Sequence, residues 1–198
     1  MRLSIPAGDF EGFIFDCDGT LADTMPIHYR AWVRAFKDFK TSFVFSEDKF
    51  YSMGGISTSK IVDVLNKENG TDYDNEKIAR RKEIIFMETL PGVRPIQPVC
   101  DFARRAVADG FPVAVASGGF PRVVKRTLEL IDIYDLFKDR VVTPDMVERG
   151  KPDPDIFLYA AKLMSITPEK CLVFEDAAPG IEGARAAGMQ VVVVPSRR

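Results

Sequence analysis

The chain carries almost no surplus of charge. Lysine and arginine number 27 against 29 aspartate and glutamate, for a formal charge of -2 and a pI near 5.6. A broad basic face is therefore missing, and nucleic acid is excluded as an expected partner. Histidine and tryptophan occur once each, at His28 and Trp32. Cys17, Cys100 and Cys171 are odd in number, far apart and form no CxxC pair, so they specify neither a disulfide framework nor a zinc site. They read as core thiols in a reducing compartment. Long hydrophobic runs are absent as well: no stretch has membrane-spanning length, and Met1 to Gly8 holds no apolar segment of signal-peptide length. A cytoplasmic protein that binds no membrane is expected. What remains is ordinary for a soluble globular chain: 198 residues, 46% hydrophobic and 28% charged, enough for one core domain with an inserted lobe. A monomer satisfies this composition, which sets no oligomeric state.

Apolar, β-branched runs occur over 12–16, 112–117, 140–143, 171–175 and 190–194, and helical periodicity over 99–109, 122–131, 155–164 and 181–187. Strands alternating with helices predict an α/β fold, a Rossmann-like parallel sheet covered on both faces. The interval between the first two strands is too long for one crossover and carries amphipathic patterns over 26–39, 58–69 and 75–90. It predicts an all-helical lobe at 24–90, inserted into a core made of 1–23 and 91–198, with Pro91-Gly92-Val93 as the return hinge.

In an open parallel sheet, ligands gather beyond the carboxyl ends of the strands. Four polar groups lie at those ends. The first strand runs into Asp16-Cys17-Asp18-Gly19-Thr20. Residues i and i+2 of a strand project to one side, so Asp16 and Asp18 face one centre while Cys17 turns to the core; an Asp-Gly hairpin turn is the competing reading. The second strand ends in Ser117-Gly118-Gly119-Phe120-Pro121, a tight loop whose hydroxyl and amide hydrogens suit an oxyanion, or simply start a helix. The third is followed by Gly150-Lys151-Pro152-Asp153-Pro154. There Asp153 suits a helix cap, and Lys151 is either a phosphoryl-neutralising cation or a surface lysine. The fourth ends in Glu175-Asp176, acids that need a cation or a helix N-terminus, and Mg²⁺ is the cation expected.

Taken in order, FDCDGTLADT, the serine of VASGG, the lysine of GKPDPDIF and the acidic pair of VFEDAAPGIEGARAAG resemble the haloacid dehalogenase-like hydrolase superfamily. The likeness is to its β-phosphoglucomutase-like, small-cap branch and covers nearly the whole chain. It implies that Asp16 is a nucleophile forming an aspartyl phosphate and that Asp18 is the acid/base. It further implies that Ser117 and Lys151 hold the transferring group. Mg²⁺ would be bound by Asp16, the backbone carbonyl of Asp18, Asp176 and, directly or through water, Glu175. Thr20, Gly118 and Gly119 join the implied substrate-binding set, and so do His28, Thr58 and Lys82 of the cap. His28 is implied to bond a substrate hydroxyl or orient Asp18, whereas Trp32 is cap core. Mutases of this branch hold a second phosphate with a cap-loop arginine, and aligning Gly55-Ile56-Ser57-Thr58 puts Thr58 in its place. Threonine cannot supply a charged bidentate fork. Lys82 aligns with a cap residue that reaches substrate, although Arg80-Arg81-Lys82-Glu83 reads on composition as a solvated helix face.

The resulting expectation is a Mg²⁺-dependent phosphatase of a small phosphorylated metabolite, most simply a sugar phosphate. The rival is a β-phosphoglucomutase-type mutase. A phosphonatase using Lys60 or Lys82, and a catalytically silent binding module, are further alternatives.

Overall fold

The structure, a computed structural model, describes residues 3–53 and 58–195. In chain order the elements are β1 (Gly12–Phe15), α1 (Met25–Asp38), α2 (Glu47–Ser52), α3 (Thr58–Asn69), α4 (Asn75–Thr89), α5 (Gln97–Ala108) and β2 (Val113–Ala116). They continue with α6 (Pro121–Leu130), α7 (Tyr134–Phe137), β3 (Val141–Val142), α8 (Asp155–Met164), β4 (Cys171–Glu175), α9 (Ala178–Ala186) and β5 (Gln190–Val193). Short 3-10 turns join several of them. Among the described residues no helix is long and apolar enough to cross a membrane.

All five strands are parallel, in the order β3-β2-β1-β4-β5. β1, β2 and β4 are buried along their whole length, which explains why they read as continuous apolar runs rather than alternating ones. Alternation instead sorts large side chains between the two faces. Phe13, Phe15, Val113, Val115, Leu172 and Phe174 pack on one face with Val99 and Ala103 of α5 and Val124 and Leu128 of α6. Ile14, Ala114, Ala116, Cys171 and Val173 pack on the other with Ile156, Phe157 and Ala160 of α8 and Ala184 of α9. Phe15 stacks on Phe174 at 4.8 Å between centroids; burying one such ring stabilises the sheet by about 2–3 kcal/mol. The connection from β3 to β4 returns the chain to the far side of β1, so a switch in strand order lies between β1 and β4, where ligands collect in such sheets.

The chain divides into two compact units, one running up to residue 23 and resuming at residue 93, the other spanning Thr24–Gly92. In the first unit the chain leaves and resumes at adjoining points: Ala22 bridges Pro95 antiparallel, and the Asp23 amide donates to the Arg94 carbonyl at 2.9 Å. The second unit is all helical. α4 packs on both α1 and α3, and Trp32, Phe36, Phe45 and Phe50 form an aromatic core. Trp32 is 2% exposed, a core residue as expected.

Two helices were not expected, α2 and α7. α2 is marked by Ser46, whose hydroxyl accepts from the Lys49 amide at 3.2 Å, followed by Glu47 and Asp48 in the first turn. α5 and α9 begin earlier than their periodicity indicates because each takes a proline, Pro98 or Pro179, in its first turn, where a missing N–H costs nothing.

Candidate active site

β1 carries its ladder one residue past the strand, with the Asp16 amide donating to the Phe174 carbonyl at 3.0 Å. This fixes Asp16 at the sheet's carboxyl edge, 6% exposed. The chain then turns: the Leu21 and Ala22 amides both donate to the Cys17 carbonyl, and Gly19 takes φ +90°. Only glycine fits here, since a side chain would overlap the Asp176 carboxylate. Cys17 is fully buried in the core, as the alternation requires. The Asp-Gly signal is therefore a turn and a site at once.

Lys151 meets this edge from the loop after β3. Its ammonium donates to Asp16 Oδ1 and to Glu175 Oε2, each at 2.7 Å, with the lysine side chain 11% exposed. Glu175, the last residue of β4, is 1% exposed, and its Oε1 also accepts from the Ala177 amide at 3.2 Å. Asp176 accepts from the Thr20 hydroxyl at 3.1 Å. From β2, Ser117 is buried, and its Oγ accepts from the Gly119 amide at 3.1 Å. Gly119 lies against Asp18: a β-carbon there would stand 3.5 Å from Asp18 Oδ2. Asp16, Asp18, Thr20, Ser117, Gly119, Lys151, Glu175 and Asp176 thus gather from the ends of β1, β2 and β4 and the loop after β3, with Gly118 exposed on the loop between Ser117 and Gly119.

A model of the haloacid dehalogenase-like hydrolases matches residues 10–188, a span that holds every one of these groups. The chain belongs to this family. It is 34% identical to the fructose-1-phosphate phosphatase YqaB of Escherichia coli, over 93% of this chain and 96% of that one. It is 29% identical to the β-phosphoglucomutase of Bacillus subtilis, over 91% and 81%. Among solved structures, CbbY of Rhodobacter sphaeroides in complex with phosphate has the same fold, with a TM-score of 0.84 over 95% of this chain and 87% of that one at 23% identity.

In this haloacid dehalogenase-like hydrolase, oxygens of Asp16, Glu175 and Asp176 lie within 4.8 Å of one another. Two buried carboxylates share one ammonium and a third, half-buried, stands beside them, a charge imbalance that burial makes costly. Burial first, then the neighbouring Glu175, pushes the Asp16 carboxyl well above its ordinary range, with Lys151 opposing. The same two causes push Asp176 up to about 7 against the Thr20 hydrogen bond. Burial pulls Lys151 down, but Asp16 and Glu175 outweigh it and raise the ammonium above an ordinary lysine, so it stays charged. The donors are hard oxygens short of positive charge, and they fit Mg²⁺.

The helical unit holds the remaining expected residues. Lys82 is not on a solvated face: it is 2% exposed, donating to His28 Nδ1 at 2.9 Å and to Glu83 Oε1 at 2.8 Å. Its ammonium also lies over the Phe86 ring at 5.0 Å from the centroid. An ammonium only donates, so Nδ1 accepts and the His28 ring proton sits on Nε2. The ring stacks on Phe86 at 3.9 Å and 7°. Lys82 falls on the apolar stripe Ile78, Lys82, Phe86, and that spacing of four was the signal available in the sequence. Thr58 opens α3, partly buried, while Gly55-Ile56-Ser57 of the aligned cap loop lie outside the described residues.

Two further points differ from expectation. Asp153 does not cap α8, whose capping position is Pro154 without a side-chain hydrogen bond; Asp153 instead pairs with Arg149 at 3.2 Å. Gly180 was overlooked. A β-carbon there would overlap the Glu175 carboxylate, and a glycine inside a helix five residues beyond an acid was its signal.

Proposed function

We propose that the protein is a Mg²⁺-dependent phosphatase of a sugar monophosphate, acting through an aspartyl phosphate on Asp16. The observation that carries this is the Lys151 ammonium bridging Asp16 and Glu175 at 2.7 Å each, beside Asp176 and the Asp18–Gly119 contact. The activity named for the relative at 34% identity supports the substrate class.

Asp16 attacks phosphorus, and covalent catalysis divides one displacement into two. Lys151 and Ser117 hold the phosphoryl oxygens, and the Gly118 and Gly119 amides lie on the same loop. Asp18 protonates the departing sugar oxygen and then takes a proton from the attacking water, a role worth about 10²- to 10⁴-fold. Asp16, the Asp18 carbonyl and Asp176 would hold Mg²⁺, with Glu175 adjacent. When bound, the ion neutralises charge between the carboxylates and the phosphoryl oxygens. Thr20 orients Asp176 by its hydroxyl. His28 and Lys82 are assigned to substrate selection as a fixed pair of the helical unit, which serves as the cap over 24–90 of a core formed by 1–23 and 91–198. Buried free thiols at Cys17, Cys100 and Cys171 suit a cytoplasmic enzyme.

Fructose 1-phosphate, the substrate in the name of the E. coli relative, is the first compound to test. Wild-type protein with Mg²⁺ releases phosphate from it or from another sugar monophosphate, and Asp16→Asn does not. Substantial release by Asp16→Asn would refute the mechanism. Glucose 6-phosphate formed from β-glucose 1-phosphate without net phosphate would replace the phosphatase by a mutase.

A further inference from the structure

Phe120 is an aromatic residue that the fold does not use. It is 63% exposed and occupies the capping position of α6 with no side-chain cap hydrogen bond, a position where serine, threonine, aspartate and asparagine are favoured. The Val123 and Val124 amides bond to its carbonyl, a contact any residue could supply. The buried side of α6 is Val123, Val124, Thr127 and Leu128. Its exposed side is charged, with Arg122, Lys125, Arg126 and Glu129, so the ring belongs to no apolar strip.

Its location is specific. Phe120 follows Gly119, where a β-carbon would stand 3.3 Å from Ser117 Oγ and 3.5 Å from Asp18 Oδ2. Neighbouring Cα atoms are about 3.8 Å apart, so the Phe120 backbone is one step from the glycine that borders the carboxylate proposed to protonate the leaving group. We propose that Phe120 is a specificity-determining residue whose ring packs on the C–H face of the leaving sugar, favouring phosphates of neutral polyols over phosphates that lack a polyol. An aromatic face is electron-rich and attracts the weakly positive C–H groups of a sugar. The ring itself carries no charge, so it favours the C–H groups of a sugar over an anionic group.

This inference rests on the phosphatase assignment, and one experiment separates the two. Fructose 1-phosphate and acetyl phosphate, which lacks a polyol, are turned over by wild type, Phe120→Ala and Phe120→Trp, with folding checked by circular dichroism. The ratio of kcat/KM for the sugar phosphate to that for acetyl phosphate falls about tenfold in Phe120→Ala, equivalent to ~1.4 kcal/mol. The loss lies mainly in KM, and Phe120→Trp keeps the ratio within about twofold of wild type. An unchanged ratio in Phe120→Ala, with wild type active on sugar monophosphates, overturns the inference and leaves the phosphatase assignment standing. Wild type active on acetyl phosphate but on no sugar monophosphate overturns both.

Discussion

Replacing Gly180 by alanine isolates what holds Lys151 in place. Alanine is normally the better helix residue by about 1 kcal/mol, and Gly180 lies buried inside α9. Here the added methyl would occupy the space of the Glu175 carboxylate, which is 1% exposed. Overpacking of this kind costs about 1–3 kcal/mol. Displacing Glu175 also breaks its 2.7 Å contact with Lys151, a charge-assisted bond worth about 1.5–3 kcal/mol. Set against the helix gain, the net is a destabilisation of about 1.5–5 kcal/mol. For a chain near 200 residues, at about 2–4 °C per kcal/mol, this lowers Tm by roughly 3–20 °C. Thermal unfolding by circular dichroism measures that shift, and phosphate release measures the effect on Lys151, expected to be a drop of at least about tenfold. Adding Glu175→Ala to the Gly180→Ala background removes the clash, so the two changes are non-additive by more than about 0.5 kcal/mol. A Gly180→Ala protein that is more stable than wild type and fully active would refute this account of the Glu175–Gly180 fit.

Three other outcomes follow from the same geometry. Lys151→Met leaves Asp16 and Glu175 buried without their shared cation; it abolishes turnover and destabilises by about 3–5 kcal/mol in urea unfolding, and near-wild-type activity would contradict the role given to the lysine. Asp176 has its carboxyl raised from 3.8 to about 7 by burial and Glu175, so the folded state binds the extra proton. Metal-free stability therefore falls as pH rises from about 4 to 7, by at most ~4 kcal/mol. Added Mg²⁺ raises Tm more at pH 8 than at pH 5, and equal shifts at both would argue against metal binding by this trio. Lys82→Met fits the apolar stripe of α4 but takes the donor from His28 Nδ1 and the partner from Glu83, which is 24% exposed, so it destabilises by about 1.5–3 kcal/mol while kcat/KM for sugar phosphates falls; unaltered kinetics would remove Lys82 from substrate selection.

The sheet was legible because its central strands are buried on both sides and therefore read as unbroken apolar runs. The acidic and basic groups at their ends were legible because charges at such positions demand a partner. The fit of Glu175 against Gly180 was not, since a side chain's path across a neighbouring helix leaves no periodic trace. The solvated-face reading of Lys82 fails because composition counts three cations in a row, whereas burial follows helical phase: Arg81 pairs with Asp38 at 2.7 Å while Lys82 turns inward. Asp153 had the chemistry of a cap, but Arg149 holds its carboxylate instead. The short helices α2 and α7, with 6 and 4 residues, are below the length at which an apolar stripe declares itself.

Asp23 and Arg94 meet through a single backbone hydrogen bond. To the catalytic sheet, everything between those two residues is one excursion that starts and finishes at the same spot. Closure entropy grows only slowly with the length of such an excursion. Changing the length of the excursion therefore costs the sheet little, and Asp16, Lys151 and Glu175, which all lie outside it, keep the spacing that the strands set.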